Sequence, residues 1–440
     1  MGSRVGRLPG NDQSCGWLAG LPQRDTRPPL TGDQQADWVV VGAGYSGMAA
    51  ARQLAAVRPG DRIVLLEANR AAEGASARNS GFLVDATLNE GTGTAADIET
   101  FRRKYDLSLA AIDEVRSLVD RFGIQCDWDP CGKLYGARHS RYQEKLQNFA
   151  GLLSKLGMEH EILKGEAIKR HTGTDFYTSA VWTKTSVILN PGKLARGILD
   201  SLPTEIELYE NSPVIEWQRT TNGHLLRTKE GAISARNVIM AVNGFMPELG
   251  VERNRNFALL LTASLSRRLT SEEHSSIGSP KPYGLLSADA MGATIRLTRD
   301  HRILVRNTCE VPSAMSLGIP ALAERRRSHA TGFKRRFPSL DPSMLSHSWS
   351  GIVCLSANGH HVFGKIGDGA YVVGCYNANG LGLANLLGRE IANLATGQAS
   401  DFIPKIEERS QPSRLPPQPF LRWGASLRLL RDRVRARSEA

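Results

Sequence analysis

Three glycines and one acid have the types and the spacing that dinucleotide binding needs. Gly42, Gly44 and Gly47 follow an apolar run that ends at Val41, and Glu67 ends the next apolar run. The first glycine makes a tight turn, the second lets the backbone approach a pyrophosphate, and the third lets a helix pack on the strand. The acid would accept hydrogen bonds from an adenosine ribose, which favours FAD or NAD over NADP. The segment therefore predicts a strand, turn, helix and strand that bind a dinucleotide.

A loop of small residues follows this unit. Between Gly74 and Gly81 the sequence reads GASARNSG, and its one charged residue is Arg78. Small side chains would let the backbone lie against a flat ring, and the arginine would bring a cation near anionic cofactor atoms. Composition alone favours a solvent-exposed loop capped by Ser76 over this cofactor role.

The elements that must position these residues include both helices and strands. Apolar residues at helical spacing predict a long helix, or a helix pair, over 95–122 and a further helix over 142–156, each segment followed by a glycine. Strand patterns predominate from Glu205, and a second glycine-rich turn between strand and helix lies over 379–382. The return of such a turn predicts a nucleotide domain built from non-contiguous segments, interleaved with a substrate domain.

Length and composition indicate a globular protein of two to three domains. The chain has 440 residues, 41% of them hydrophobic and 22% charged. No run approaches the roughly 18 apolar residues of a membrane span, the N-terminus lacks a signal-peptide pattern, and the six cysteines form no CxxC pair. We therefore expect a cytoplasmic protein with neither a metal site nor a disulfide framework. The formal net charge of +11 leaves nucleic acid, anionic membranes, acidic substrates and an ordinary basic surface open.

Four blocks together carry a resemblance to a known superfamily. They read RPPLTGDQQADWVVVGAGYSG, GASARNSGF, SWSGIVCLSANGHHVFGKIG and NANGLGLANLLG. With them the chain resembles the FAD-dependent amine and amino-acid oxidoreductases of the D-amino-acid oxidase/glycine oxidase/sarcosine oxidase superfamily. It is most similar to the γ-glutamylputrescine oxidoreductase-type branch. The resemblance selects FAD as the cofactor.

The predicted fold class is accordingly α/β and α+β. We expect a Rossmann-like FAD-binding domain built from non-contiguous segments, plus an inserted substrate domain with an antiparallel sheet. The predicted boundaries are an irregular N-terminal arm over 1–33, the FAD-binding domain over 34–92, 160–248 and 345–400, the substrate domain over 93–159 and 249–344, and a basic tail with an amphipathic helix over 401–440.

The resemblance also implies which residues hold FAD. At the dinucleotide end these are Gly42, Gly44, Tyr45, Ser46 and Gly47 on the pyrophosphate, Glu67 and Ala68 at the adenosine, and Val214 against the adenine region. Near the flavin they are Ser76, Arg78, Asn79, Ser80, Gly81, the strand end 241–244, and Asn379, Gly380, Leu381 and Gly382. The last turn would aim a helix N-terminus at the flavin, where the dipole stabilises the negative charge of the reduced ring.

The implied reaction is oxidation of the C–N bond of a small amine or amino acid. Flavin accepts a hydride equivalent from the carbon next to nitrogen, and the resulting imine hydrolyses. Oxygen, giving hydrogen peroxide, or a respiratory acceptor would reoxidise FAD, and an oxidase is favoured over a dehydrogenase. No obligatory acid–base residue is expected. Arg296 and His361 are predicted to face the substrate, although a surface arginine and a packing histidine remain open.

The chain departs from its relatives at two positions. Sarcosine oxidases tether flavin to a cysteine, whereas Cys354 lies three residues beyond the equivalent position, so we expect non-covalent FAD. Similar oxidases place a lysine beside the flavin, whereas the matching strand HRILVRNT has Arg302 and Arg306 but no lysine. This difference leaves a dehydrogenase open.

The C-terminal tail predicts a basic amphipathic helix. Its apolar face would comprise Trp423, Leu427, Leu430 and Val434. That face could lie on an anionic membrane, or pack on its own domain or on a neighbouring subunit. Two alternative functions stay open. The resemblance implies oxidation of a tRNA wobble-base side chain as one of them, which the basic charge permits, and the tail allows a flavoprotein dehydrogenase docked to a membrane or partner. No nucleic-acid motif appears, which disfavours the first, and the oligomeric state is not predicted.

Overall fold

The computed structural model describes residues 3–12, 15–88 and 95–439. Its strands are, in chain order, β1 (Ser3–Arg4), β2 (Gly32–Val41), β3 (Ile63–Leu66), β4 (Phe82–Leu83), β5 (Lys133–Ala137), β6 (His160–Lys164), β7 (Ser179–Thr183), β8 (Val187–Ile188), β9 (Ile206–Tyr209), β10 (Glu216–Thr220), β11 (Gly223–Arg227), β12 (Gly231–Met240), β13 (Phe257–Ser266), β14 (Tyr283–Ser287), β15 (Thr294–Leu297), β16 (Ile303–Glu310), β17 (Leu345–Leu355), β18 (Val362–Gly367) and β19 (Ala370–Gly374). Its α-helices are α1 (Tyr45–Val57), α2 (Ala75–Arg78), α3 (Ala95–Phe122), α4 (Gln143–Lys155), α5 (Glu166–Thr172), α6 (Pro191–Asp200), α7 (Ser271–Ser276), α8 (Ile319–Arg336), α9 (Gly380–Thr396), α10 (Phe402–Glu407) and α11 (Phe420–Ala436).

The first sheet contains the predicted dinucleotide unit. Strands β9, β3, β2, β12 and β19 lie side by side and are parallel. Val40 packs on the side covered by α1 and α9, whereas Val39 and Val41 pack on the other side. Because both faces are covered, these strands are apolar throughout rather than alternating. The Rossmann-like prediction is confirmed.

The second sheet is mostly antiparallel, as predicted for the inserted domain. Its order is β17-β13-β16-β15-β14-β5-β7-β6, and only β14 and β5 run parallel. Successive residues again enter different cores: Leu134 packs in the layer that contains α8, and Tyr135 packs against α4. The sheet therefore has helices on both faces.

Some segments lie elsewhere than the sequence predicted. Strands β6, β7 and β17 pair in the eight-stranded sheet, although 160–248 and 345–400 were assigned to the FAD-binding domain. The N-terminal arm, predicted as irregular, adds β1 to the first sheet beside β10. The reason is that a strand's sequence shows which face is buried but not which distant strand it pairs with. The predicted helix over 95–122 is confirmed, and the second one is confirmed with bounds Gln143–Lys155.

Among the described residues there is neither a membrane-spanning helix nor a metal-binding cluster. None of their helices is long and apolar enough to cross a membrane. No cluster of three His, Cys, Asp or Glu side chains among these residues could hold a metal ion.

Candidate functional site

A cavity of about 680 Å³ is lined by residues from both sheets. One part of its wall is the carboxyl ends of β2, β3 and β12, and another part is β13, β15 and β16 of the eight-stranded sheet. Its volume is in the range of ligand and cofactor sites, and the carboxyl ends of parallel strands are where open α/β sheets bind ligands.

Each glycine of the first turn is required by its surroundings. Gly42 has φ +100°, and a Cβ there would lie 2.7 Å from the carbonyl oxygen of Ala241. A Cβ on Gly47 would lie 1.7 Å from the Gly42 oxygen, and one on Gly44 would lie 2.9 Å from Ser76 Oγ. The turn therefore brings α1 against β2 and leaves bare backbone facing the cavity.

Glu67 lies at the end of β3 with its carboxylate at the cavity wall. Its Oε2 accepts a hydrogen bond from the Ala43 amide at 2.9 Å, and its Oε1 accepts one from the Asn69 amide at 3.0 Å. Burial raises the pKa of this carboxyl above its ordinary value. The two amides hold the carboxylate at the position where the sequence places a ribose.

Two helix N-termini open onto the same cavity. Helix α1 begins at Tyr45 after Gly44, and α9 begins at Gly380 after Asn379. The residue before each helix does not cap it with its own side chain, although the Tyr45 amide donates to Ser76 Oγ at 3.0 Å. The first N–H groups of a helix have no partner within it and carry partial positive charge. The cavity therefore has one site for anionic groups at each of these helices.

The loop 74–81 folds along the cavity, but the charge of Arg78 is already paired. Its Nη1 donates to Asp12 Oδ1 at 2.9 Å, and both side chains are 5% exposed. Its Nε donates to the carbonyl oxygen of Glu73 at 3.0 Å. A buried arginine needs such partners. The expectation that Arg78 supplies a free cation to the cofactor is therefore not supported.

Most residues predicted to hold FAD line this one cavity. They are Gly42, Gly44, Tyr45, Ser46, Glu67, Ala68, Ser76, Arg78, Asn79, Ser80, Val214, Asn379, Gly380 and Leu381, together with 241–244. The other three, Gly47, Gly81 and Gly382, pack behind the wall. Gly81 has φ +75° and lies against Arg296, and Gly382 faces Ala111 of α3.

The expectation that Arg296 faces the substrate is wrong. Its side chain is buried and does not line the cavity. Its Nη1 donates to the carbonyl oxygens of Leu189 at 2.6 Å and of Ser80 at 2.9 Å, and its guanidinium lies over the Trp17 ring at 5.0 Å. Arg296 thus ties the loop 74–81 to the chain before α6, and it is not a surface arginine either.

The neighbouring strand carries the arginine that the prediction missed. Arg306 lines the cavity from β16, where its Nε and Nη2 donate to Thr294 Oγ1 at 3.2 and 2.6 Å. No carboxylate of the described residues lies within 4.0 Å of its guanidinium. Burial lowers its pKa, but an arginine stays charged at neutral pH. Arg302, by contrast, pairs with Asp300 outside the cavity. The signal in the sequence is a charge that directly follows the apolar run 303–305.

His361 lines the cavity on the side of α9, and His360 does not. Burial lowers the pKa of His361 to about 3, and its Nδ1 is buried without a hydrogen-bond partner among the described residues. The imidazole is therefore neutral at physiological pH. It can contact a bound molecule but holds no positive charge there.

The N-terminal arm contributes to the site, which the sequence analysis did not predict. Val5, Arg7, Pro9, Gly10 and Asn11 line the cavity beside the dinucleotide turn. Arg7 forms an ion pair with Glu248 at 2.6 Å, and Asn69 donates from its side chain to the Pro9 oxygen at 3.2 Å.

Comparison with known proteins identifies the family. The model of a family described as FAD dependent oxidoreductase (DAO) matches residues 37–394. The chain belongs to this family. FAD is thus its cofactor, and the glycine turn, Glu67 and the two helix N-termini supply groups that fit a dinucleotide with a flavin.

Relatives and solved structures are similar to this DAO-family chain over most of its length. It is 28% identical over 422 residues to the γ-glutamylputrescine oxidoreductase of Escherichia coli (strain K12), covering 90% of this chain and 93% of that one. The structure of glycine oxidase from Geobacillus kaustophilus matches with a TM-score of 0.71 at 18% identity, covering 84% and 98% of the two chains. The L-amino acid deaminase from Proteus myxofaciens matches with a TM-score of 0.66 at 16% identity, covering 92% and 97%.

Proposed function

We propose that the chain oxidises the C–N bond of a small amine or amino acid that carries an anionic group. The observation that carries this proposal is Arg306, a cation on the cavity wall without an acidic partner among the described residues. A guanidinium in such a place matches a carboxylate, which it can bind through two parallel hydrogen bonds. The anion would also offset the cost of the buried charge.

The names of the relatives support the same substrate class. The γ-glutamylputrescine oxidoreductase is named for an amine joined to glutamate, and the structural neighbours are named for glycine and L-amino acids. Each of these compounds combines a nitrogen with a carboxylate. We therefore propose that Arg306 binds the carboxylate and that the cavity holds the carbon next to nitrogen toward the flavin.

FAD, when bound, supplies the two-electron oxidation of that C–H bond. The side chains have the simpler tasks of binding and orienting the substrate and of excluding water. Tyr135 and Phe101 line the part of the cavity nearest the eight-stranded sheet and make it partly apolar. His361 stays uncharged, so it would not repel an ammonium group. The substrate imine would then hydrolyse to a carbonyl compound.

We further propose non-covalent FAD and oxygen as the acceptor. Cys354 lines the cavity, but its hydrogen bond with Cys375, together with burial, raises its pKa well above the ordinary value. A protonated thiol is a poor nucleophile, which argues against attachment of the flavin there. Flavin released by acid precipitation and peroxide formed during turnover would test these two points.

Anaerobic mixing of the holoenzyme with a panel of compounds tests the proposal. The panel contains amines, amino acids and γ-glutamyl amines, and the signal is loss of the visible flavin absorbance. We expect bleaching by carboxylate-bearing amines, and bleaching that is roughly ten- to hundredfold slower by the same amines without a carboxylate. If no compound of the panel bleaches the flavin, the proposal is overturned.

A further inference from the structure

Helix α11 presents a continuous apolar stripe to solvent. The stripe comprises Phe420, Trp423, Leu427, Leu430 and Val434, whose exposure lies between 58% and 68%. With 3.6 residues per turn these five positions share an arc of about 80°. Most other large apolar side chains of the described residues are buried, so five on one helix face form an exposed patch that requires a partner.

Contacts on the opposite face hold this helix in place. Leu429 packs on a cluster that contains Leu259 and Cys309, and Ala436 is fully buried in the same cluster. Just beyond the helix, Glu439 is fully buried, and its carboxylate accepts hydrogen bonds from the amides of 138 and 139 and from Ser287 Oγ. The stripe cannot turn inward without breaking these contacts. Packing of the stripe on its own domain, one of the predicted arrangements, is therefore wrong.

Arginines border the stripe. Arg428, Arg431 and Arg435 lie along one side of it and are exposed, and Arg437 lies on the other side. Asp432 pairs with Arg428 at 3.7 Å and with Arg431 at 3.4 Å, so positive charge remains in excess. Large apolar residues beside long cationic side chains match the boundary between acyl chains and anionic headgroups.

A second copy of the chain fits the same stripe less well. The apolar spacing of three and four residues would also suit two paired helices. Such a pair would place Arg431 and Arg435 of each helix beside the seam, where like charges repel. The stripe also spans only about two heptads, fewer than the three or four typical of a coiled coil.

We propose that α11 docks the protein on an anionic lipid bilayer. The helix lies in the interface with the stripe among the acyl chains and the arginines at the headgroups. The cavity and its cofactor take no part in this contact, so the proposal stands apart from the proposed function.

Flotation of the holoenzyme with vesicles tests this proposal. We expect binding to vesicles that contain phosphatidylserine, little binding to pure phosphatidylcholine, and weakening by salt. Replacing Trp423 and Leu427 by alanine should lower the partition coefficient at least tenfold, because acyl-chain contacts are lost. Trp423 fluorescence should be quenched by brominated lipids, and the W423F protein should lose that quenching.

Two triple variants that lose the same charge test whether binding depends on the arginines of α11 or only on the net charge of the protein. The triple change R428Q/R431Q/R435Q should reduce binding to anionic vesicles about a hundredfold. The triple change K164Q/K169Q/R170Q removes the same charge from exposed positions outside α11 and should leave binding unchanged. Absence of anionic-vesicle binding, or equal loss in both triples, would overturn the proposal. A dimer that dissociates in the W423A/L427A protein would do the same, since the stripe would then join two copies.

Discussion

At the scale of single residues, two arginines on adjacent strands have different tasks. In the ladder between β15 and β16, Arg306 pairs with Thr294, and Arg296 pairs with Leu304. The Arg296 guanidinium donates hydrogen bonds to backbone carbonyl groups, whereas the Arg306 guanidinium keeps N–H groups available at the cavity wall. Arg296 is buried, whereas Arg306 is half-buried at the cavity wall, and the neighbours of each distinguish a packing role from a binding role.

The ion pair between Arg78 and Asp12 should hold the flavin-side loop. The D12N protein leaves a buried guanidinium without its anion, which costs about 3–5 kcal/mol for a buried pair. We expect a lower free energy of unfolding for the apoprotein and weaker FAD retention on gel filtration. The E159Q control removes an exposed partner of Lys184 and should cost less than about 1 kcal/mol. Equal stability and equal FAD retention in the two variants would contradict this role.

At the scale of elements, the contact of α1 with the first turn is the tightest backbone approach in the dinucleotide unit. In the G47A protein the new methyl group would meet the Gly42 oxygen, so the helix must move away from the turn. We expect purified protein that has lost its yellow colour. G151A, on the open surface of α4, meets nothing within 4 Å and should keep FAD, since alanine favours helix. A G47A protein that retains FAD would refute the assigned role of this turn.

Helix α8 is linked to β13 through a buried histidine whose titration should affect stability. His329 Nδ1 lies 2.7 Å from Ser264 Oγ, and burial, with a smaller effect of Arg306, lowers its pKa to about 3. The unfolded chain protonates this histidine near its ordinary pKa of about 6.5, while the folded chain does not. The free energy of unfolding therefore decreases as the pH falls below about 6.5.

At about pH 5, protonation of His329 in the unfolded chain alone should lower the free energy of unfolding by about 2 kcal/mol. Urea unfolding at about pH 7.5 and about pH 5 would measure it. The H329Q protein should lose less stability between these pH values than the wild type, by about that amount. Exposed His171 provides the control, because H171Q should keep the wild-type pH dependence. Identical pH dependence in all three proteins would show that His329 is protonated equally in both states.

Local sequence predicted the dinucleotide unit well because its determinants are local. The spacing of Gly42 and Gly47, the apolar strands and the acid at Glu67 all act within one strand–helix–strand unit. The pairing of Arg78 with Asp12 and the placement of β6 and β7 in the second sheet depend on segments distant in sequence. A period of two residues shows which side of a strand is buried, but it does not identify the neighbour.

At the scale of the whole molecule, the site depends on two sheets meeting at one cavity. The parallel sheet brings the two helix N-termini and Glu67 to one part of the wall, and the eight-stranded sheet brings Arg306 to another. The N-terminal arm covers the dinucleotide side, and the apolar stripe of α11 lies on the surface. The proposed substrate specificity therefore comes from a strand that is far in sequence from the cofactor motif.

The most direct measurement is the rate of anaerobic flavin reduction in a cycle of two proteins and two substrates. Wild type and R306Q are each mixed with a carboxylate-bearing amine and with its carboxamide analogue, and R302Q serves as the control outside the cavity. We expect wild type and R302Q to prefer the carboxylate by roughly ten- to hundredfold in the rate at low substrate concentration, and R306Q to lose this preference. If R306Q keeps the wild-type preference, Arg306 does not bind the carboxylate and the proposed function of this residue is contradicted.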